Sequence, residues 1–406
     1  MVAHVGVGAF HYSKSTLICC GPPIRNLHYV SYLVQPCWFI NFSMNKAPLI
    51  VHSDWSRSWG GQEIRTLTEL RAMKAHGFRV GLIVREGAEL ATRAQREGIS
   101  VYFVDFSSKF NVSAWGDLYR LFRRLRPAVI NTHSSEDSWM AGCLARLCHV
   151  PLVIRTRHVL APISSSLSYN LFADVIFACS ESIGRQLTDQ GVSPAKIVVQ
   201  STGIDEHRFC FSEQDRRQIR GQYQIGPDDI LVGNVAFIRH YKGHDFIVRT
   251  AAQTPGHFKF IIVGGGDDLP LLQKTIEQAG VAERFILPGH REDPERFFSA
   301  MDMIFFSSYE GEGISQSFIQ GLLYGLPLLT CRTPSLMEPL AMVEKYRVVD
   351  YGDIEGAARK LLELAGDLQC NAEQIERQRQ VVAEKYGLRT MIRTIVKVYE
   401  EHGIAL

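Results

Sequence analysis

Short apolar runs alternate with segments of helical periodicity from residue 49 onward. The first series of predicted strands comprises Leu49–Val51, Val80–Val84, Val101–Val104, Ala128–Asn131, Leu152–Arg155 and Val175–Cys179. Helical patterns such as Gln62–His76 and Ser138–Cys148 lie between them. Repeated strand–helix units of this length form parallel sheets that are covered by helices on both faces. The alternation therefore predicts an α/β fold.

A polar stretch, Ser212–Asp229, interrupts the alternation and indicates a domain boundary. A second series of predicted strands follows it: Ile230–Val235, Phe258–Val263, Phe285–Leu287, Met303–Phe306 and Leu328–Thr330. We expect two facing Rossmann-like domains, 44–207 and 208–385. Ligands of open α/β sheets bind beyond the carboxyl ends of the strands, which places the expected site in the cleft between the domains.

Residues 1–43 differ from the rest of the chain, because their apolar residues follow neither helical nor strand periodicity and show no signal-peptide layout. Met44 lies just before the first predicted strand. We predict that Met44 is the natural start and that 1–43 is a non-native or disordered extension. A membrane-docking arm is the alternative.

Composition, net charge and cysteine spacing limit the classes of function that the chain could have. The 406 residues are 46% hydrophobic and 21% charged, with a formal net charge of +2, so no nucleic-acid partner is indicated. The 9 cysteines show no metal-ligand spacing, and no apolar run is long enough for a bilayer. We expect a cytoplasmic protein. Contact with the inner face of the cytoplasmic membrane stays open, because the arginines of 120–126 form a face that could bind anionic lipid or be merely solvated.

The stretch 307–327 carries the strongest chemical signal. An apolar strand leads into a glycine-flanked acidic turn, Glu310–Gly313, and then a helix that Gly325 ends. Free N–H groups at such a helix start bind anions. Glu312 stands at the mouth of the turn, and Gln320 lies two turns into the helix. An acid beside an anion site suits a polyol joined to phosphate, such as a nucleotide sugar, although an ordinary strand–turn–helix connection would also fit.

The same stretch resembles the signature of the retaining GT-B glycosyltransferases of glycosyltransferase family 4, where two acids precede a Gly-Leu-Pro helix end. Further matches follow in the family's order: Gly60-Gly61, Asn131-Thr132-His133, Thr202–Asp205, Gly233–Val235, Lys242–Asp245 and Val263–Gly266. The resemblance covers the chain from about residue 47 and implies the GT-B fold, with a C-terminal helix, 386–406, that crosses back to the N-terminal domain. Gln320 and the segment 155–158 make the chain similar to bacterial lipopolysaccharide and surface-polysaccharide enzymes.

The resemblance implies roles for three residues. Glu312 would hold donor-sugar hydroxyls and favour positive charge on the sugar ring, although a helix-start acid is the alternative. Gln320 would bind the ribose in place of the family's second acid, with one accepted and one donated hydrogen bond. His133, at a strand end, would contact the donor sugar near the reacting carbon, unless it is a core histidine.

The resemblance also implies that the leaving group is a nucleoside diphosphate. Cations must neutralise the negative charge that grows on its phosphate as the glycosidic bond breaks. Lys242 matches the family lysine, whereas the family arginine falls on Phe237, and Arg239 is the nearest replacement. The remaining donor-binding candidates are Gly60, Gly61, Gly313, Ile314, Ser315 and Gln316. The acceptor candidates are Arg155, Arg157 and His158, because two arginines suit an anionic acceptor. Solvated loops and plain turns are the alternatives.

We therefore expect a glycosyltransferase that moves a sugar from a nucleotide-diphosphate donor to a glycan or lipid-linked acceptor, with retention, in lipopolysaccharide or surface-polysaccharide biosynthesis. No cofactor and no metal are expected. A sugar-nucleotide epimerase of GT-B fold and a non-catalytic assembly protein that binds glycans or nucleotide sugars are the rival hypotheses.

Overall fold

The computed structural model of the chain describes residues 47–108, 110–309, 313–368 and 372–406. The predicted extension 1–43 and the acidic positions Glu310 and Glu312 lie outside the described residues. No helix in the described part of the chain is long and apolar enough to cross a membrane.

The strands of the described chain form two sheets. The first comprises β1 (Leu49–Asp54), β2 (Arg79–Val84), β3 (Ser100–Phe103), β4 (Val129–Thr132), β5 (Leu152–Arg157), β6 (Val175–Ala178) and β7 (Ile197–Val199). The second comprises β8 (Ile230–Val235), β9 (Phe258–Val263), β10 (Phe285–Gly289), β11 (Met303–Phe306), β12 (Leu328–Cys331) and β13 (Tyr346–Val349). The strand orders are β3-β2-β1-β4-β5-β6-β7 and β10-β9-β8-β11-β12-β13, with every adjacent pair parallel.

Helices connect the strands in both sheets. Those around the first sheet are α1 (Gly61–Ala75), α2 (Glu89–Arg96), α3 (Val112–Leu125), α4 (Ser135–Leu147), α5 (Leu167–Phe172) and α6 (Glu181–Asp189). The following ones are α7 (Glu213–Gln222), α8 (His244–Ala251), α9 (Leu269–Gln278), α10 (Pro294–Ala300), α11 (Gln316–Leu322), α12 (Pro334–Leu340) and α13 (Ile354–Ala365). The chain ends with α14 (Ala372–Tyr386) and α15 (Leu388–Glu401).

The first sheet lies between two apolar cores, which explains why its strands read as continuous hydrophobic runs. One face packs against α1, α2 and α15, and the other against α3 and α4. Met391, Ile395 and Tyr399 of α15 are each at most 1% exposed and belong to the first sheet's core. The C-terminal helix thus lies against the first sheet, although α14 packs on the second.

Two segments contain structure that the sequence-based prediction did not resolve. The C-terminal tail forms two helices, α14 and α15, that separate at Gly387, where Ile204 donates its N–H to the Tyr386 carbonyl and accepts from the Leu388 N–H at 2.9 Å each. The polar stretch 212–229 contains α7, which has a single buried apolar residue, Ile219, and hence no apolar stripe for a sequence reading to detect.

We call the first sheet with its helices the N-terminal lobe and the second the C-terminal lobe. The carboxyl ends of their strands meet across a cleft whose walls come from both lobes. The predicted α/β class, with two parallel-sheet domains and an interdomain cleft, is confirmed.

Candidate active site

The cleft between the lobes has a volume of about 480 Å³. Most of the predicted site residues lie along its wall: Gly60, Gly61, His158, Arg239, Lys242, Gly313, Ile314, Ser315, Gln316 and Gln320. They come from loops and helix starts that follow β1, β5, β8 and β11. Because parallel strands point their carboxyl ends to one edge, residues distant in sequence converge there.

The N-terminal wall is the start of α1. Gly60 donates its N–H to Glu63 Oε2 at 2.9 Å, and Gln62 Nε2 donates to the two carboxylate oxygens of Asp54 at 3.0 and 2.9 Å. These bonds fix the glycine loop on the end of β1. A Cβ atom at Gly61 would meet no atom within 4 Å, so the space beside this residue is open cleft. The first N–H groups of α1 lack intrahelical acceptors, as at every helix start, and can bind an anion.

The C-terminal wall supplies cations. Arg239 and Lys242 lie in the segment between β8 and α8, and the Arg239 guanidinium lies 5.3 Å from the ring centre of Phe237. The phenylalanine at the family's arginine position therefore supports the neighbouring arginine. A Cβ at Gly243 would come within 2.3 Å of the Ser307 carbonyl oxygen, so only glycine permits this loop to pack on the end of β11.

Residues between 313 and 320 form another part of the cleft wall. Gln316 Nε2 donates across the cleft to the Gly61 carbonyl at 2.6 Å. A Cβ at Gly313 would lie 2.5 Å from the His158 carbonyl oxygen, so the two lobes approach closely at this glycine. Gln320, half-buried in α11, also lines the cleft. Glu312, which precedes Gly313 in the sequence, is outside the described residues.

A second link joins the lobes at the surface. Arg93 of α2 donates to both carboxylate oxygens of Glu292 at 2.7 and 3.1 Å, and its guanidinium lies 4.2 Å from the centre of the Trp59 ring. Hydrogen bonding from Arg93 is the main reason that the pKa of Glu292 falls to about 2. Glu292 remains 64% exposed, so solvent screens this ion pair and its contribution to stability is small.

His133 is placed differently from the expectation. It directly follows β4, yet it is 5% exposed and its ring lies between two other imidazoles rather than on the cleft wall. Its Nε2 is 2.8 Å from His52 Nδ1, and its Nδ1 is 2.9 Å from His158 Nε2. Burial holds the pKa of all three imidazoles below the ordinary value, and well below it for His133 and His158. Of these three histidines, His158 is the one that lines the cleft.

Two buried carboxyls lie beside this cluster. Asp137 accepts hydrogen bonds from the Ser53 hydroxyl at 2.6 Å and from the N–H groups of His133 and Ser134 at 3.1 and 2.8 Å. Burial, with the nearby charge of Asp54, raises the pKa of Asp137 to about 7. Burial, with Glu63, raises that of Asp54 to about 6. These groups hold the ends of β1 and β4 together beneath the glycine loop.

The acceptor candidates separate in space. Arg155 is 5% exposed, donates to Ser168 Oγ at 2.8 Å, and stacks with its guanidinium 3.5 Å from the ring centre of Tyr169. Arg157 donates to the Ala161 carbonyl at 2.7 Å. Neither belongs to the cleft wall of the described chain, whereas His158 does. Their predicted acceptor role stays a prediction.

Sequence reasoning missed several residues of the cleft wall, including Trp59, His290 and Arg291. The last two follow β10, and their position after a predicted strand was a signal that could have identified them.

Two family models match the chain in succession. The model described as Glycosyltransferase Family 4 matches residues 59–208, and the one described as Glycosyl transferases group 1 matches residues 215–381.

Curated relatives are distant. An N-acetyl-alpha-D-glucosaminyl L-malate synthase of Bacillus anthracis is 20% identical over 56% of this chain and 59% of its own length. The O-antigen biosynthesis glycosyltransferase WclY of Escherichia coli is 26% identical over 34% of this chain and 37% of its own. A 2-deoxystreptamine glucosyltransferase of Streptomyces kanamyceticus is 22% identical over 73% of this chain and 83% of its own length. The chain thus spans little more than half of the first relative and less than half of the second.

Solved structures show the fold more completely. HepE of Anabaena in complex with UDP superposes with a TM-score of 0.77 at 16% identity, covering 87% of this chain and 100% of that one. WaaG, a glycosyltransferase involved in lipopolysaccharide biosynthesis, superposes with a TM-score of 0.65 at 13% identity, covering 85% of this chain and 99% of that one. These similarities establish the GT-B fold. The chain thus has the GT-B fold and matches two glycosyltransferase family models, one in each lobe.

Proposed function

We propose that the protein transfers a sugar from a nucleoside-diphosphate sugar to a glycan or lipid-linked acceptor, with retention of anomeric configuration, in lipopolysaccharide or surface-polysaccharide biosynthesis. One observation carries the proposal. A single cleft brings the open start of α1 together with Arg239, Lys242 and Gln320 from the opposite lobe.

The cleft offers complementary groups for each part of such a donor. The diphosphate would lie between the first N–H groups of α1 and the two cations Arg239 and Lys242, where both walls favour negative charge. Gln320 would bind the ribose, and Glu312 the sugar hydroxyls. Relatives involved in O-antigen biosynthesis and structural neighbours that bind UDP support this assignment.

The open space at Gly61 supports a close approach of the ligand to the backbone. No packing contact of the described chain requires a glycine there, because a Cβ would have no neighbour within 4 Å. A bound phosphate would fill that space, and a side chain would then obstruct it.

The proposal includes chemistry without a metal or cofactor, in which Arg239 and Lys242 stabilise the leaving diphosphate. The resemblance to the retaining family supports retention. Approach of the two lobes would exclude water and favour transfer over hydrolysis.

We also propose a cytoplasmic location with peripheral contact to the inner membrane. The exposed Cys210 has a free thiol, which is typical of a reducing compartment. The basic face of α3, with Arg120 75% exposed, would supply the contact with anionic lipid.

A thermal-shift screen of nucleotide sugars tests donor binding, because a ligand that binds only the folded state raises apparent stability by mass action. We expect one class of nucleoside-diphosphate sugar to raise the Tm of the wild type and to have less effect on Lys242→Ala. Lys274→Ala, in α9 outside the cleft wall, is the matched control. Equal shifts for all three proteins would place the donor elsewhere.

Transfer itself is tested with the selected donor and cell-derived acceptor glycans. We expect nucleotide release that depends on acceptor. Conversion of the donor sugar without any acceptor would favour the epimerase hypothesis. Binding without any reaction would favour the non-catalytic assembly protein.

A further inference from the structure

A second cavity lies beside the cleft, against the segment between β7 and α7 that links the two lobes. It has a volume of about 620 Å³, larger than the cleft, and we call it the linker cavity. Its walls come from α1, α2 and α15, from the linking segment, and from residues of the C-terminal lobe that follow β10. Trp59, Gln316 and Gln320 line both spaces, so they form the boundary between the linker cavity and the cleft.

Part of the wall of the linker cavity is apolar. Leu67 of α1 and Ile204 of the linking segment are buried residues that line it. Leu388 and Ile392 of α15 line it too, and both are half-buried against the core of the first sheet. Ala75, the last residue of α1, is exposed there. A ligand that covered these side chains would gain free energy from the apolar surface removed from water.

Three arginines from separate elements also line the linker cavity: Arg71 of α1, Arg96 of α2 and Arg208 of the linking segment. Arg71 donates to Glu97 through Nε and Nη2, and Arg208 donates through Nη2 alone to two acceptors of the C-terminal lobe. The exposed Arg96 side chain makes no hydrogen bond or ion pair with the residues that the structure describes. Guanidinium N–H groups are therefore left to bind a further acceptor.

The apolar wall and the guanidinium groups together select the chemistry of a ligand. A small inorganic anion would accept from the arginines but leave the apolar side chains uncovered. A neutral apolar molecule would cover those side chains but offer the arginines no charged acceptor. An organic anion with an apolar body does both, because a charge-assisted hydrogen bond and buried apolar area each contribute to its affinity. It need not break the bonds from Arg71 to Glu97, since Nη1 of Arg71 takes no part in them.

We propose that the linker cavity is a second ligand site, for an organic acid with an aromatic or acyl body, and that its occupant strengthens donor binding. The acid group accepts from Arg71, Arg96 and Arg208, and the body lies on Leu388 and Ile392. Because the walls belong to both lobes, the ligand keeps all its contacts only while the lobes stay together, which is the arrangement that also forms the cleft. The effect on donor binding rests on the proposed function, whereas the site itself does not.

Two matched fluorescent probes test the site on the full-length protein, well below its Tm. One is 1-anilinonaphthalene-8-sulfonate, and the other is N-phenyl-1-naphthylamine, the same molecule without the sulfonate. We expect saturable binding of the sulfonate, with a lower Kd than that of the neutral probe and no displacement by an equal concentration of inorganic phosphate. Absence of saturable binding, equal Kd values for the two probes or displacement by phosphate would overturn the proposal.

The variant Arg96→Ala tests the role of the arginines. We expect the Kd of the sulfonate to rise about 3- to 10-fold, the size of one hydrogen bond, while the Kd of the neutral probe stays the same. Arg377→Ala is the matched control, because Arg377 is an exposed arginine of α14 that does not line the linker cavity. The same sulfonate Kd in both variants would show that Arg96 does not hold the acid group.

The variant Ala75→Phe tests the location. Its ring takes up space on the apolar side of the linker cavity, so we expect the Kd of both probes to rise. Ala252→Phe is the control, because Ala252 is also an exposed alanine at the end of a helix, α8, away from the cavity. A sulfonate Kd that rises in Lys242→Ala but not in Ala75→Phe would place the probe in the cleft and overturn the proposal.

Isothermal titration of the donor, with and without saturating sulfonate, measures the effect on donor binding. We expect the sulfonate to lower the donor Kd of the wild type by about 5-fold or more, and to have less effect on Ala75→Phe. An unchanged donor Kd would refute the coupling between the two sites. A protein that binds the sulfonate in the linker cavity but binds no nucleotide sugar would refute the proposed function and leave the second site intact.

Discussion

Adding one methyl group at Gly61 should separate binding from folding. Gly61 is the first residue of α1, and its Cβ position is open to the cleft, with no atom within 4 Å. If a diphosphate rests on the N–H groups of this helix start, Gly61→Ala places a methyl group against it. If the glycine is merely part of a turn, the same substitution meets nothing.

The expected magnitudes follow from these two situations. Alanine is favoured over glycine inside helices by up to about 1 kcal/mol, and less at a first position, so the free energy of unfolding should stay level or rise slightly. Displacing the phosphate from one N–H group removes a charge-assisted hydrogen bond of about 1.5–3 kcal/mol. The Kd for the donor should therefore rise about 10- to 150-fold.

The assay is isothermal titration of the donor selected by the thermal-shift screen, with urea unfolding of the same preparations. Gly221→Ala is the matched control, because Gly221 is also a helical glycine with no atom within 4 Å of its Cβ position, but it lies in α7 outside the cleft wall. A Gly61→Ala protein that binds the donor as tightly as Gly221→Ala would refute the reasoning.

Three further substitutions test other parts of the site. Gly313→Ala should weaken donor binding, because its Cβ would lie 2.5 Å from the His158 carbonyl and hold the lobes apart; a larger radius of gyration by X-ray scattering checks this, and an unchanged radius contradicts it. Ser53→Ala removes the hydroxyl that stabilises ionised Asp137, whose folded pKa of about 7 already exceeds its unfolded value. The protonated carboxyl favours folding at low pH, and this stability is lost as pH rises through 7, where the carboxylate needs the serine hydroxyl. Ser53→Ala should therefore lower the free energy of unfolding by about 1–2 kcal/mol, and by more at pH 8 than at pH 5, as measured by urea titration. Equal decreases at the two pH values would argue against this role. Arg93→Ala should lower the free energy of unfolding by less than about 1 kcal/mol, since the ion pair is exposed to solvent, and a larger loss would show that this pair holds the lobes together.

The two-sheet fold was predictable because buried parallel strands are continuous apolar runs. β6 and β11, each with four buried apolar residues, are clear examples. Elements were missed where that signal is weak. α7 buries one apolar side chain, and β13 is mostly exposed or half-buried along its length.

The position of a residue on the cleft wall was predictable where the residue lies in the segment after a predicted strand, as for Lys242 and Gly61. The position was not predictable where the direction of the side chain decides whether a residue faces the cleft or the interior. His133 follows β4 as expected, but the adjacent strands place imidazoles on both sides of it. Only the strand order, β1-β4-β5, reveals that contact, and residues 81 positions apart in sequence form it.

Transfer by a Glu312→Ala variant tests the central claim most directly. The assay measures sugar incorporation into acceptor glycan together with nucleotide release, with Glu363→Ala as the control, since Glu363 is 45% exposed in α13 and pairs with Arg347. We predict that the Glu312 variant folds with the wild-type Tm yet loses transfer, while the control retains it. A Glu312→Ala protein that transfers sugar at the wild-type rate would contradict the account.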